Sequence, residues 1–307
     1  MNATPGAPGL TNWIILIVLG AIWGSAFMAM ELALRGFAPL WVAALRTGIA
    51  APVMLAIAAF AGQGIGHVAR ARAWGHVAPA GVVGVVLPFV FLTWGQQHVP
   101  SAFAGVAMGS VPIVLVPLAY VFLRDEKVTA LRVLGLMIGF AGLVVLVGPG
   151  ALDAGTGDNV LLGRLACLGA AMGYAIASVL TRRCPPVPPM AFTAGTLAVA
   201  AAILLPVALL VEGVPQGFSR GALAAAVYAA LFPTALAFYL RVLVINSAGS
   251  LFMSLVSYVV PLFAVLFGVV LLGEELRPEL YIAMALILGG IAVSQSAGLQ
   301  RLVRGRT

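Results

Sequence analysis

The sequence predicts an all-α membrane protein whose ten transmembrane helices form two inverted-topology five-helix repeats. Composition is the first observation behind this. Of 307 residues, 63% are apolar and 8% charged, with mean hydropathy +1.13, whereas a soluble domain carries about 25% charged residues. Run length is the second. A spanning helix takes roughly 20 apolar residues, and runs bounded by Gly, Pro or charge fall near 12–34, 39–60, 74–94, 101–123, 129–148, 160–181, 189–211, 221–243, 250–272 and 279–297. The third is an internal offset of 149 residues: Gly20 and Gly24 in LGAIWGSAF recur as Gly169 and Gly173 in LGAAMGYAI, Thr47 as Thr196, and Pro112 as Pro261. Five spans per repeat is an odd number, so the second repeat enters the membrane opposite to the first.

Taken in order, span 1 carries Gly20 and Gly24 as a GxxxG pair that admits a close neighbour. It sets Trp23, Phe27 and Glu31 on one face at four-residue spacing, with Ser25 at mid-depth. The run is too long for a signal-peptide core, so it is expected to stay as helix 1. Span 2 holds Arg46, about 10 Å from its end at 1.5 Å per residue. Span 3 contains Pro88 and ends at Trp94, span 4 places Ser110 before Pro112, and span 5 pairs Gly135 with Gly139. The Gly-rich stretch 148–159, with Asp153 and Asp158, reads as a midpoint linker dividing the chain into repeats 1–149 and 150–307. Span 6 brings Gly169, Gly173 and Tyr174, and span 8 has Pro233 near its middle, then Tyr239 and Arg241. Span 9 repeats Ser250, Ser254 and Tyr258 at four-residue spacing before Pro261.

The formal charge of +7 comes from 16 basic and nine acidic residues spread thinly between apolar runs. Nucleic-acid binding needs a clustered basic face, so none is expected. With the N-terminus inside, the inner side receives Arg70, Arg72, Arg124, Lys127, Arg132, Arg182, Arg183, Arg241, Arg301, Arg304 and Arg306, and the outer side Arg35, Arg164, Arg220 and Arg277. That bias places both termini in the cytoplasm and the chain in the inner (plasma) membrane. Cys167 and Cys184 form no CxxC or zinc pattern, and no metal or cofactor is expected.

The segments RDEKVTALRVLGLMIGFAG and GEELRPELYIAMALILGG resemble the acidic turn and Gly-spaced helix that close each half in EamA-type members of the drug/metabolite transporter superfamily. Glu126 precedes Gly135 and Gly142 as Glu274 precedes Ala283 and Gly290. WGSAF in span 1 fits as well, and ALRTGIA places Arg46 where the family carries a basic residue. The resemblance implies helices from both halves lining one central cavity and a small-molecule substrate moved across the bilayer. The small multidrug relatives exchange drug for protons on a carboxylate in their first helix. Here Trp23, Gly24 and Ser25 occupy that depth, and Glu31 near the outer end is the coupling candidate.

The cavity candidates are Trp23, Ser25, Phe27, Arg46, Trp94, Ser110, Tyr174, Tyr239, Ser254 and Tyr258. Aromatics with a polar edge suit amphipathic metabolites, though lipid-facing packing accounts for any one of them. Serines beside prolines meet freed carbonyls, though they also serve as interhelical glue. Arg46 either binds a substrate carboxylate by a bidentate pair, pairs with Glu31, or snorkels. Pro88, Pro112, Pro233 and Pro261 are hinge candidates. Glu126 and Glu274 are expected to cap span ends.

Other classes lack their chemistry. An intramembrane enzyme needs positioned catalytic groups, but His67, His76 and His98 lie in loops or at span ends. No HExxH, Walker A or filter-like sequence occurs, and a receptor reading finds no large extramembrane segment. The expectation is a secondary transporter exporting amino acids, related metabolites or amphipathic drugs, acting as monomer or homodimer, with an uncoupled uniporter, exchanger or importer as the alternative.

Overall fold

Backbone polar groups cannot be left open in an apolar medium, and every regular element among the described residues closes them within itself as a helix. In this computed structural model the described residues are 9–122, 130–147, 159–294 and 296. In chain order they form α1 (Leu10–Leu34), α2 (Pro39–Phe60), α3 (Gly66–Arg70), α4 (Trp74–Gly81), α5 (Leu87–Gly95), α6 (Ser101–Met108), α7 (Val111–Phe122) and α8 (Ala130–Val147). Then come α9 (Val160–Arg183), α10 (Pro189–Glu212), α11 (Arg220–Ala230), α12 (Ala237–Met253), α13 (Val256–Leu272) and α14 (Pro278–Ser294). Among the described residues seven helical segments are long and apolar enough to cross a membrane: α1, α2, Trp74–Gly95, Ser101–Phe122, α9, α10 and Arg220–Ile245. Val133–Val147, α13 and α14 are shorter apolar helices. Glu126, the 148–158 part of the linker and Arg301, Arg304 and Arg306 lie outside the described residues.

One expected boundary is corrected. The sequence places a break at 244–249, yet α12 runs on to Met253 and the chain turns at Ser254 and Leu255. Ser247 is the reason a polar stretch stays helical: its Oγ lies 2.9 Å from Leu243 O and 2.7 Å from Asn12 Oδ1, so its hydroxyl is satisfied along the helix.

Small residues set the packing. α2 and α10 lie together over Ala43, Ala44, Ala50, Ala51, Ala194 and Ala200, all buried. α8 and α14 cross at their glycines, where a Cβ on Gly290 would stand 2.5 Å from the Gly139 nitrogen. Gly20 and Gly24 admit Val259 and Phe263 of α13. The outside is apolar, with Ile17, Met137, Phe140, Leu210 and Val270 exposed; so broad an apolar surface suits lipid rather than water.

Two π-helical turns interrupt the bundle, Val82–Val86 between α4 and α5 and Leu231–Leu236 between α11 and α12. They begin 231 − 82 = 149 residues apart, the offset already visible in the sequence. Each involves a proline, Pro88 just after the first and Pro233 inside the second. Proline supplies no N–H to the helical ladder. At Pro233 the Thr234 hydroxyl takes over, donating to Ala229 O at 2.9 Å.

Cross-links tie helix ends together. The Glu212 carboxylate accepts from Leu40 N and Trp41 N, both at 3.0 Å, and the Glu274 carboxylate from Ser101 N at 2.7 Å and Ala102 N at 3.1 Å. A carboxylate is stabilised at a helix N-terminus by orphan N–H groups and the macrodipole, so Glu274 caps as expected. At the opposite end of the bundle Gln63 Oε1 accepts from Met190 N at 3.4 Å, and Arg183 donates to Phe122 O at 2.8 Å. Met190 lies 149 residues beyond Trp41, and Glu212 lies 149 beyond Gln63. Glu212→Ala is expected to lower stability by about 1–2 kcal/mol, read as a lower Tm of the detergent-purified protein. Gln63→Ala removes a longer, uncharged bond and should cost less than half as much; equal losses would contradict the capping account.

Candidate functional site

The second π turn is the focus of the polar interior. Trp23 Nε1 donates to Pro233 O at 3.0 Å. Ser25 Oγ donates to Ile22 O at 2.8 Å and lies 2.7 Å from Tyr228 Oη, so Tyr228 is the donor to Ser25. Arg46 Nε donates to Thr234 Oγ1 at 2.9 Å, which leaves the Thr234 proton for Ala229. Through these bonds α1 and α2 of the first half are fastened to the α11–α12 segment of the second.

Arg46 is 6% exposed. Beyond Thr234 its Nη1 reaches only the soft acceptor Met30 Sδ at 3.4 Å, and its Cζ lies 4.0 Å from the centre of the Phe89 ring, a cation–π contact. A guanidinium has five N–H donors; two are used, and three have no protein acceptor among the described residues. No carboxylate there pairs with it. Tyr174, near enough to Arg46 to interact electrostatically, packs against the core of α2 and α10, as does Tyr239.

The structure thus brings Trp23, Ser25, Arg46 and Pro233 together with Tyr174 beside them. It disperses the others. Phe27 is buried against the Gly105 backbone, and its carbonyl accepts from Gln96 Nε2 at 2.9 Å. Ser110 donates to Ala107 O at 2.6 Å in the break between α6 and α7, just before Pro112. Pro261 of α13 packs against that break at Gly109. Trp94 rests on His98, ring centres 4.7 Å apart, and lines a lateral groove with Phe91, Leu162 and Leu165. Ser254 sits in the turn before α13, and the Tyr258 hydroxyl is buried with no hydrogen-bond partner among the described residues. Glu31 is half-buried and opens onto a cavity at the end capped by Glu274. Thr234, Tyr228, Phe89 and Met30 were not singled out from the sequence. Thr234 and Phe89 each follow a mid-span proline, the one signal that marks them.

Fold and interior together define a multi-pass helical membrane protein with a closed, asymmetric polar site around a buried cation. Residues 11–148 and 161–295 match the EamA-like transporter family, and the chain belongs to it. Over 140 residues it is 32% identical to an uncharacterized transporter of Archaeoglobus fulgidus, spanning 46% of this chain and 49% of that one. Over 304 residues it is 29% identical to a "Probable terminal-alkyne amino-acid exporter" of Streptantibioticus cattleyicolor, spanning 96% and 94%. Over 288 residues it is 29% identical to an S-adenosylmethionine/S-adenosylhomocysteine transporter of Chlamydia trachomatis, spanning 90% and 87%. A solved crystal structure of a protein 26% identical matches with TM-score 0.67 over 94% of this chain and 98% of that one. The family and the three named relatives are transporters, which implies a small-molecule substrate and a membrane setting for this chain.

Thr234→Val strips Arg46 of its hydroxyl acceptor and Ala229 of its donor. It is expected to cost about 1–3 kcal/mol, visible as a Tm drop larger than that of Tyr228→Phe. The reverse order would show that Thr234 does not hold Arg46.

Proposed function

We propose that the chain is a ten-span secondary transporter that exports small metabolites of the amino-acid class by alternating access, with Arg46 receiving the substrate carboxylate. One observation carries the reading: a buried guanidinium held between the two halves, with three donors unused and no carboxylate partner among the described residues. An ionisable group inside a membrane bundle marks a substrate or ion path, and the guanidinium fork matches a carboxylate in bidentate geometry. The cargoes in the names of two relatives, an amino acid and S-adenosylmethionine, both carry such a carboxylate.

Ten spans in two inverted repeats are supported by the two family matches and by helix pairing. α1 packs on α13 as α9 packs on α7, and α2 on α11 as α10 on α4. Inverted repeats place the site at their interface and exchange conformations to open it on either side. The bonds Trp23–Pro233, Ser25–Tyr228 and Arg46–Thr234 are the closed gate in this reading. The prolines at the π turns, with the break at Gly109, Ser110 and Pro112 and its neighbour Pro261, are the bending points. The excess of Arg at the end bearing Arg70, Arg72, Arg182 and Arg183 supports a reading with that end and both termini in the cytoplasm of an inner-membrane protein. Both halves lie in one chain, so a monomer completes the site. The reading includes no enzymatic step, cofactor or metal.

Glu31 is the coupling candidate for protons. Its position in the cavity wall, with no bond to the Arg46 cluster among the described residues, favours uncoupled exchange as the second reading. The experiment is uptake of labelled amino acids into proteoliposomes with and without a pH gradient. Lys is a point charge without the planar fork, so Arg46→Lys is expected to insert normally and to lower uptake about tenfold or more, a loss of at least about 1.4 kcal/mol. Normal transport by that variant would overturn the reading. Gradient-driven accumulation lost in Glu31→Gln would establish coupling, and equilibration that ignores the gradient would establish the exchanger.

A further inference from the structure

We propose that the cavity at the Glu274-capped end is a binding site for a primary ammonium group, the one a transported amine or amino acid carries. The cavity, about 330 Å³, is lined by Glu31, Gln96, His98, Glu274 and Glu275 among others. Its acids come from separate elements: Glu31 from α1, and Glu274 and Glu275 from the turn after α13. Glu274 is held in place by the α6 N-terminus it caps, and it lines the cavity. Arg35, one helical turn beyond Glu31, is exposed and does not line the cavity.

Acidic residues alone would be a solvated mouth; Gln96 makes this a built site. It is 4% exposed, and its Nε2 is spent on Phe27 O at 2.9 Å. Its Oε1 is buried and accepts no hydrogen bond among the described residues. A buried acceptor left unpaired costs about 1–3 kcal/mol, and Gln96 lines the cavity together with Glu31. The wall therefore offers acceptors, the carboxylates of Glu31, Glu274 and Glu275 and the Gln96 side chain, with no lysine or arginine lining it. A primary ammonium is the complementary ligand, with three donors and no acceptor. A chelated metal ion fits less well, since no three His, Cys, Asp or Glu side chains among the described residues converge to hold one.

The site neighbours the Arg46 site through consecutive residues of α1. Met30 contacts Arg46 and its neighbour Glu31 faces the cavity, so Met30 is the partition between them. This inference rests on the transporter reading and adds a second determinant to it. An amine-bearing solute passing Met30 meets acids that attract its ammonium, whereas a simple carboxylic acid meets repulsion.

The test is titration of the purified full chain in detergent with n-butylammonium chloride, followed by tryptophan fluorescence, since Trp94 rests on His98 at the cavity wall. Binding should be saturable, and weakened about tenfold in Glu31→Gln, about twofold in the more exposed Glu275→Gln, and not at all in Glu279→Gln. In the wild-type chain tetramethylammonium, which has no N–H to donate, should bind about tenfold more weakly. That comparison decides the matter even where Glu31→Gln fails to fold. Absent saturation, equal response to both cations, or unchanged binding in folded Glu31→Gln would overturn the proposal. Binding needs no transport, so intact titration with failed uptake would sink the transporter reading alone.

Discussion

A guanidinium kept out of water inside an apolar bundle is the constraint on which the rest of this structure turns. Burying an unpaired charge costs several kcal/mol or more, and the chain compensates for part of it with whatever acceptors its helices can offer. Thr234 supplies a hydroxyl, Met30 a thioether and Phe89 a ring face. Thr234 can serve because Pro233 has already broken the ladder and opened a π turn, which frees Ala229 O to orient the hydroxyl. The kink and the charge are therefore one device. Among the described residues no carboxylate pairs with Arg46, which supports the proposed recognition of an anionic solute.

The scaffold and the chemistry follow different symmetries. Helix pairing, both π turns and the reciprocal caps Glu212 on α2 and Gln63 on α10 recur at the 149-residue offset. The polar site does not. At that offset Arg46 is matched by Gly195, Thr234 by Val85 and Ser25 by Tyr174. In the inverted-repeat reading one half contributes the cation and the other the hydroxyl that holds it, so relative movement of the halves alters the environment of Arg46 directly. A site made symmetrically would duplicate the buried charge and its cost.

Much of the fold was legible in the sequence because apolar run length is a direct consequence of bilayer thickness. The helices lie within a few residues of the expected spans, save where Ser247 satisfies itself inside α12. Glu274 was legible as a cap because an acid in a turn has helix N-termini as its natural neighbours. The site was legible in part. Arg46 announces itself as a charge in an apolar run, and Pro233 as a break. Thr234, Tyr228 and Gln96 do not, since a hydroxyl or amide in a span reads the same whether it bonds its own helix, another helix or a ligand. Phe27 and Trp94 show the converse: their aromatic character is used here for packing and at a lateral groove. Only the three-dimensional meeting of distant spans separates these cases.

The central claim is that Arg46 recognises a carboxylate. Competition in proteoliposomes between a labelled transported amino acid and either the unlabelled free acid or its primary amide tests it most directly. The account predicts that the acid competes and the amide, which keeps size and ammonium but cannot form the bidentate ion pair, competes at least about tenfold less well. Equal competition by acid and amide would contradict it and leave Arg46 as a structural cation.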